Sequence, residues 1–360
     1  MSVIALIILV FFMLGVIDKL IGDRFGLGKE LEKGFLLFAP MVFSMLGMLV
    51  VAPAIGVLLT PFFEWFYTVF KIDPSIISAS LLANDMGGTT LSLTINHNAD
   101  IGKFNAYIIS SMMGATISYT IPVALGIVKK EQHRDMFFGL LCGIVTIPVG
   151  SIVAGLICGI KTYTLMLNLL PLILFSFVVI LGLIFIRSVF IKLFSIFGQL
   201  MRAISLIGLF FAVFTFLTDI EICKYFDSFE NAAFICVNAC VTLGGALCLM
   251  HTVSRLLNRP IKKICDKVGL DDTSALGLLT NIVSNTPVFG VMERMNRKGV
   301  VLCSAFSVSA AFTFGGHLAF TMAYDKSYVL PMIVGKMVSG IVALALALIL
   351  YRESKTDSLS

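Results

Sequence analysis

Long uncharged runs separated by short charged links set the pattern of this chain. Phe35–Phe63, Phe104–Val128, Met136–Ile160 and Thr162–Ile186 are the cleanest, and each exceeds the ~20 apolar residues that a membrane-spanning helix needs. Eleven apolar segments follow, at roughly 3–17, 35–60, 74–96, 104–128, 136–160, 163–186, 203–218, 231–254, 273–292, 299–323 and 328–351. The seventh is short, but the uncharged stretch Leu193–Met201 extends it across Arg202. The pattern predicts an all-α polytopic membrane protein. Val3–Ile17 has no basic start and no small-residue cleavage site, so it reads as a retained first helix rather than a signal peptide.

Composition agrees with that class. The chain is 58% hydrophobic and 13% charged, with a mean hydropathy of +1.01, so lipid rather than water is the solvent for most of it. The net charge of +5 lies in the links, where it suits anionic headgroups and gives no sign of nucleic-acid binding. The eight cysteines form no Cys-x-x-Cys pair and no Cys/His cluster, and read as small membrane-core residues.

One segment departs from the pattern. Pro74–Asn96 carries a single charge, Asp85, at its centre, within Leu81-Leu82-Ala83-Asn84-Asp85-Met86-Gly87-Gly88-Thr89-Thr90. A carboxylate at mid-membrane depth costs ~2.5–3.5 kcal/mol and usually faces a pathway or a partner. The Gly-Gly pair and the Asn and Thr side chains beside it argue for a broken or re-entrant segment rather than a lipid-facing helix.

Link charges favour the re-entrant alternative. If segments three and nine dip in and return, the basic links 18–34, 129–135, 187–202, 255–272 and 293–298 and the tail all fall on one side. The positive-inside rule then places the N-terminus outside and the C-terminus in the cytoplasm, with nine crossings. Landmarks also recur at an offset of 197 residues: Leu81-Leu82-x-Asn84 with Leu278-Leu279-x-Asn281, Thr89 with Thr286, Ser110 with Ser307, and Gly143-Ile144-Val145 with Gly340-Ile341-Val342. These predict a first repeat at 1–162, a linker helix at 163–196, a second repeat at 197–352 and a cytoplasmic tail at 353–360. Five crossings before the second copy invert it, and each copy of about five segments carries a broken or re-entrant third segment. Inverted repeats whose discontinuous helices meet at the midplane are a transporter architecture.

The chemistry gathers on these segments. Asp85 and the region Asn281–Pro287 would enter from opposite faces and meet, giving an asymmetric acidic site suited to a small cation with a hydroxyl group. The substrate-binding candidates are Asp85, Asn84, Thr89, Ser110, Ser111, Thr116, Asn281, Asn285, Ser309 and His317. Lys336 and His317 are alternative ion-pair partners for Asp85, and for Lys336 alone the blander reading is snorkelling toward the outer interface. The small and hydroxyl residues of segments four and ten allow close helix packing or line a polar path, and Tyr119 offers a face to an amine. No His-Glu-x-x-His or Gly-x-Ser-x-Gly motif points to an enzyme, and no metal or cofactor is expected.

Several blocks in order resemble the ethanolamine permease family, the membrane protein of bacterial ethanolamine utilization. They are Asp85-Met86-Gly87-Gly88, Ser111-Met112-Met113-Gly114, Ile121-Pro122-Val123-Ala124-Leu125-Gly126, Gly143-Ile144-Val145-Thr146-Ile147-Pro148, Val308-Ser309-Ala310-Ala311-Phe312 and Met332-Ile333-Val334-Gly335-Lys336. The resemblance implies uptake of ethanolamine across the bacterial plasma membrane to feed a cytoplasmic lyase. In the family pattern an Asp precedes the histidine of the tenth segment; here that position is Gly316, which leaves more of the cation binding to Asp85. Facilitated diffusion is the expected mode, with proton- or sodium-coupled transport of ethanolamine or a related amine as the alternative. An intramembrane sensor or enzyme is the remaining class, and the oligomeric state, including a homo-oligomer, stays open.

Overall fold

The computed structural model describes residues 3–351, and every regular element among them is helical. The tail expected at 353–360 lies outside the described residues. In chain order the helices are α1 (Val3–Leu20), α2 (Leu27–Leu58), α3 (Thr60–Phe70), α4 (Ser75–Leu81), α5 (Thr89–Ile95), α6 (Ala99–Ile127), α7 (His133–Ile157), α8 (Thr162–Phe185), α9 (Arg187–Thr218) and α10 (Phe229–Lys267). There follow α11 (Asp272–Asn281), α12 (Thr286–Val291), α13 (Arg297–Ala310), α14 (Gly316–Tyr324) and α15 (Val329–Leu350). Eight of these, α1, α2, α6 to α10 and α15, are long and apolar enough to cross a membrane. The seventh segment does run through Arg202 as the continuous helix α9, and the boundary expected at 196–197 falls within it. The link expected at 61–73 instead holds α3, a helix that leaves Phe62, Trp65, Val69 and Phe70 exposed.

Two pairs of short helices are hairpins. Before α4, Asp73 is buried, and its Oδ1 accepts from the Ser75 amide (3.0 Å) and hydroxyl. Its Oδ2 accepts from the amides of His97 and Asn98, both at 2.9 Å, beyond the end of α5. One carboxylate thus ties the start of the 74–96 segment to its finish. Midway, Ser78 and Ser92 bond across α4 and α5 at 2.7 Å. The second hairpin, α11–α12, repeats the clasp: Asp271 accepts from Ser274 through its amide (2.8 Å) and hydroxyl (2.9 Å), and from the Asn296 amide (2.6 Å) after α12. Burial works against the Asp271 charge, yet the bonds from Asn296 and Ser274 hold its carboxyl below the usual carboxylate range.

The clasps sit at opposite ends of the molecule. Lys129–Glu293 (2.7 Å), Arg297–Asp135 (2.9 Å) and Gln132 donating to the Met292 carbonyl (2.7 Å) join the links that lead into α7 and α13 beside the Asp271 clasp. Arg187 lies over Phe137, and Arg255 donates to the Phe25 carbonyl, which brings the 18–34 and 187 regions to this same end. At the other end Lys103 pairs with Asp325 (2.9 Å) beside the Asp73 clasp. Lys71, Lys103, Lys161, Lys224 and Lys326 are the only described bases there; the others gather at the Asp271 end, apart from Arg202 and Lys336 inside α9 and α15.

Between the ends, α7, α13 and α15 pack as a close trio with α6 against them. Small residues let the backbones approach: a side chain added at Gly150 would run into the Gly335 carbonyl, and one at Gly143 into Val308. Without a hydrophobic force between helices in lipid, such close van der Waals packing is what associates them. Thr116 Oγ1 donates to the Val308 carbonyl (3.0 Å) and Ser339 to Ser309 (2.7 Å), which adds hydrogen bonds at the same interfaces.

If the clasp holds the first hairpin, Asp73→Ala removes the acceptor of three amides and one hydroxyl together, with each charge-assisted bond contributing about 1.5–3 kcal/mol. Thermal unfolding in detergent is expected several degrees lower, with a smaller drop for Asp73→Asn. An unchanged midpoint for Asp73→Ala contradicts the clasp.

Candidate functional site

The tips of the two hairpins are backbone breaks, and they meet. In the first, Leu82 and Ala83 are extended, and Gly87 adopts φ +87°, the left-handed region that glycine tolerates. A side chain at Gly87 would also strike Met48 of α2, and one at Gly88 the carbonyls of Leu82 and Ala83. Backbone groups freed at such a break need partners when no water is present. Here α6 supplies them: Ser110 donates to the Leu82 carbonyl (2.7 Å), and Ser118 accepts from the Ala83 amide (3.0 Å). The second tip, 282–285, is met by another break, 311–315, which divides the tenth segment into α13 and α14. Phe312 and Phe314 donate their amides to the Asn281 and Ile282 carbonyls at 3.2 and 2.9 Å. Phe312 takes φ +61°, a strained backbone for a bulky residue that persists only where the surroundings impose it.

A cavity of about 270 Å³ lies where these breaks converge, walled by Ala83 and Asp85 of the first tip and Val283 and Ser284 of the second. Tyr119 of α6, Phe312 and Gly315 of the third break, Gly316 and His317 of α14, and Ser44 of α2 complete its polar and aromatic wall. Tyr119 meets Phe312 edge-on at 5.6 Å, and Phe312 lies against His317 at 5.0 Å. The Tyr119 hydroxyl is anchored on Thr286 Oγ1 (3.1 Å). A second cavity of about 520 Å³ shares Ser44, Asp85 and Tyr119 with the first and reaches Gln199 and Arg202 of α9. Toward the basic end, the first cavity shares Leu247 and Val283 with a groove of about 440 Å³ lined by Glu30, Lys33, His251 and Arg255. Toward the opposite end, Thr90 and Tyr324 bond at 3.0 Å, with the Phe320 ring tilted against Tyr324 at 4.9 Å.

Asp85 is the only carboxylate on the wall of the first cavity, and among the described residues its oxygens take no hydrogen bond or ion pair from any other residue. Behind the wall stands a buried lysine. Lys336, 1% exposed, donates to the Ser111 carbonyl (2.5 Å) and lies 3.0 Å from His317 Nδ1. It therefore does not snorkel: its Nζ is held inside by a π-helical carbonyl and an imidazole.

Of the ten candidate residues, Asp85 and His317 line the cavity. The other eight lie close behind it, and their hydrogen bonds go elsewhere. Thr89 donates to the Ala106 carbonyl, Ser110 to Leu82, Ser111 to Ile108 and Thr116 to Met112 and Val308. Asn84 accepts from the Asp85 amide, Asn281 donates to the Cys303 carbonyl, Asn285 to Thr120, and Ser309 accepts from Ser339. Of these, Ser110 braces the first break directly, and Thr89, Thr116, Asn281, Asn285 and Ser309 join neighbouring segments. Conversely, Ser44 and Phe312 line the cavity without standing out in the sequence as contacts, and Ser284 does so from within the Asn281–Pro287 region, where Asn281 and Asn285 are the candidates. A Phe in an apolar run carries no signal of a left-handed backbone, although the small residues Gly315-Gly316 beside it mark the break. A side chain at Gly316 would start 3.6 Å from Asp85 Oδ2, so that position faces the carboxylate.

No solved structure gives a significant match to this chain. Residues 1–350 match the family described as "Ethanolamine utilisation protein, EutH". Among relatives, "Probable ethanolamine permease EutH" of Listeria monocytogenes serotype 1/2a is 36% identical over 347 residues, covering 96% of this chain and 93% of that protein. The protein of the same description from Escherichia coli strain K12 is 34% identical over 351 residues, covering 90% of this chain and 86% of its own length. "Uncharacterized protein YxeR" of Bacillus subtilis strain 168 is 32% identical over 341 residues, covering 95% and 92%. Full-length matches to one family, together with eight apolar helices, lead to one conclusion: this multi-pass membrane protein belongs to the EutH family of ethanolamine utilisation proteins.

Proposed function

We propose that this protein carries ethanolamine across the bacterial plasma membrane through the cavity at the hairpin tips, by facilitated diffusion, with Asp85 as the seat of the ammonium group. The observation that carries the reading is the unpaired carboxylate. An isolated charge at that depth is costly, and the partner that the protein withholds is the one an ammonium supplies. Tyr119 and Phe312 add aromatic faces, each worth about 0.5–2 kcal/mol to a cation, and Ser44 and Ser284 suit the hydroxyl. The cavity of about 270 Å³ takes a two-carbon amino alcohol and several waters at about 30 Å³ each. The name shared by the relatives from Listeria monocytogenes and Escherichia coli, probable ethanolamine permease, supports the choice of amine.

The fold supports the rest of the reading. Two hairpins clasped at opposite ends, with tips on one cavity, fit an inverted repeat with re-entrant third segments. The gathering of bases at the Asp271 end fits a cytoplasmic location for that end and for the C-terminus, with the N-terminus outside. The cavity then opens by the Leu247–Val283 side toward the cytoplasm, and the Thr90–Tyr324 bond closes it from the outside.

Labelled ethanolamine entering liposomes that hold the purified protein tests the function; no flux under any gradient overturns it. Asp85→Asn keeps the side chain's shape and loses its charge, so uptake at low substrate is expected to fall roughly ten- to a hundredfold, matching the loss of about 1.5–3 kcal/mol. Undiminished uptake moves the site elsewhere. For orientation, Lys103→Cys in a chain lacking Cys158 and Cys223 should react with an impermeant thiol reagent added outside intact cells; reaction only from the cytoplasm reverses the topology.

A further inference from the structure

Lys336 has no place in a simple account of amine binding. A cationic substrate seated at Asp85 would share one buried site with a second cation, and only one carboxylate is present for both. Every element around the lysine has the same bias. The first hairpin tip contributes Asp85, α14 contributes His317, and α6 contributes Tyr119 and the Ser111 carbonyl. Thr146 of α7 and Ser309 of α13 bond to Ser339, three residues after the lysine in α15, and are uncharged. The thiols of those two helices, Cys142 and Cys303, lie toward the basic end, against Cys265 and the Ser274 carbonyl. Across the second cavity, α9 presents Arg202, a further positive charge. The other carboxylates on these elements sit at helix ends, Asp100 exposed at the start of α6 and Asp135 paired with Arg297 at the start of α7, so neither is a second anion for the lysine.

Resting on the proposed seat of the ammonium at Asp85, we infer that Lys336 is the site's exchangeable countercation: it carries a proton when the cavity is empty and gives that proton up when an ammonium binds. The site then holds one anion and one cation in both states, Asp85 with Lys336 or Asp85 with substrate, which avoids an unbalanced charge at membrane depth. The route is laid out in contacts. Nζ stands 3.0 Å from His317 Nδ1, and the imidazole lines the cavity. The N–H bond at Nζ breaks as one forms at Nδ1, and the proton on the opposite ring nitrogen leaves to cavity water, so one proton passes to solvent and Lys336 is left neutral. Lysine rather than arginine is required, because a guanidinium does not release its proton. Over a full cycle the substrate crosses as the ammonium while a proton returns on Lys336. The net movement is that of the neutral amine, without transfer of charge.

The test is calorimetric titration of the protein in nanodiscs near pH 7, repeated in buffers of different ionisation enthalpy, which counts protons released on binding. Ethanolamine is one ligand. Choline, whose quaternary nitrogen has no proton to lose, is the other, so any proton released with it comes from the protein. Release of about one proton per ligand is expected with both. Lys336→Arg should abolish that release and weaken binding about tenfold or more, since two fixed cations then face one carboxylate. Lys336→Met should bind at least as tightly as the natural protein at pH 8. Binding without proton release overturns the inference and leaves the Asp85 seat standing, as does full release by Lys336→Arg. Loss of binding in Lys336→Met also overturns it, by making the lysine a support rather than a competitor. Absence of ethanolamine binding in the natural protein overturns the underlying reading itself.

Discussion

The structure turns on a carboxylate without a protein partner. Asp85 takes no ion pair from Lys336: Ser111 and His317 hold the lysine Nζ, and the carboxylate faces the cavity. Keeping it there requires that the polypeptide stop being a helix at mid-depth, and that every backbone group freed by the stop be answered. Ser110 and Ser118 answer the first tip, and the Phe312–Phe314 backbone answers the second. The hairpin clasps at Asp73 and Asp271 fix how deep each tip can reach.

This arrangement explains why so many hydroxyl and amide side chains are buried without touching the cavity. A broken helix in lipid needs partners as much as a substrate does. The polar face of α6 is spent on that need: its π-helical turns at Asn105–Gly114 and Thr116–Thr120 lie beside the first tip, and the Ser111 carbonyl there carries Lys336. Support and site are thus built from adjoining residues of one helix.

Much of this was legible in the sequence. The apolar runs gave the long helices closely, α9 included, because a 20-residue apolar run has few alternatives in a membrane. Asp85 stood out as the one charge in its segment, and Gly87-Gly88 marked the break. The sequence did not separate residues that line the cavity from those that brace it, since Ser110 and Ser284 are alike as letters and differ only in what they face. Nor did it reveal Lys336 as an inner cation: a lysine two turns into an apolar helix reads equally as a snorkelling side chain, and its retention depends on a carbonyl and an imidazole from two distant helices. Phe312 was hidden for a related reason, since its left-handed backbone is imposed by hydrogen bonds to the other hairpin.

The claim at the centre is that an ammonium sits against Asp85 between the two tips. Its most direct measurement is the rate at which a small thiol reagent modifies Ser284→Cys, across the cavity from that carboxylate, with and without ethanolamine. Protection by ethanolamine that disappears when Asp85→Asn is added is the result predicted. Equal protection with and without the carboxylate, or no protection in either, would contradict it.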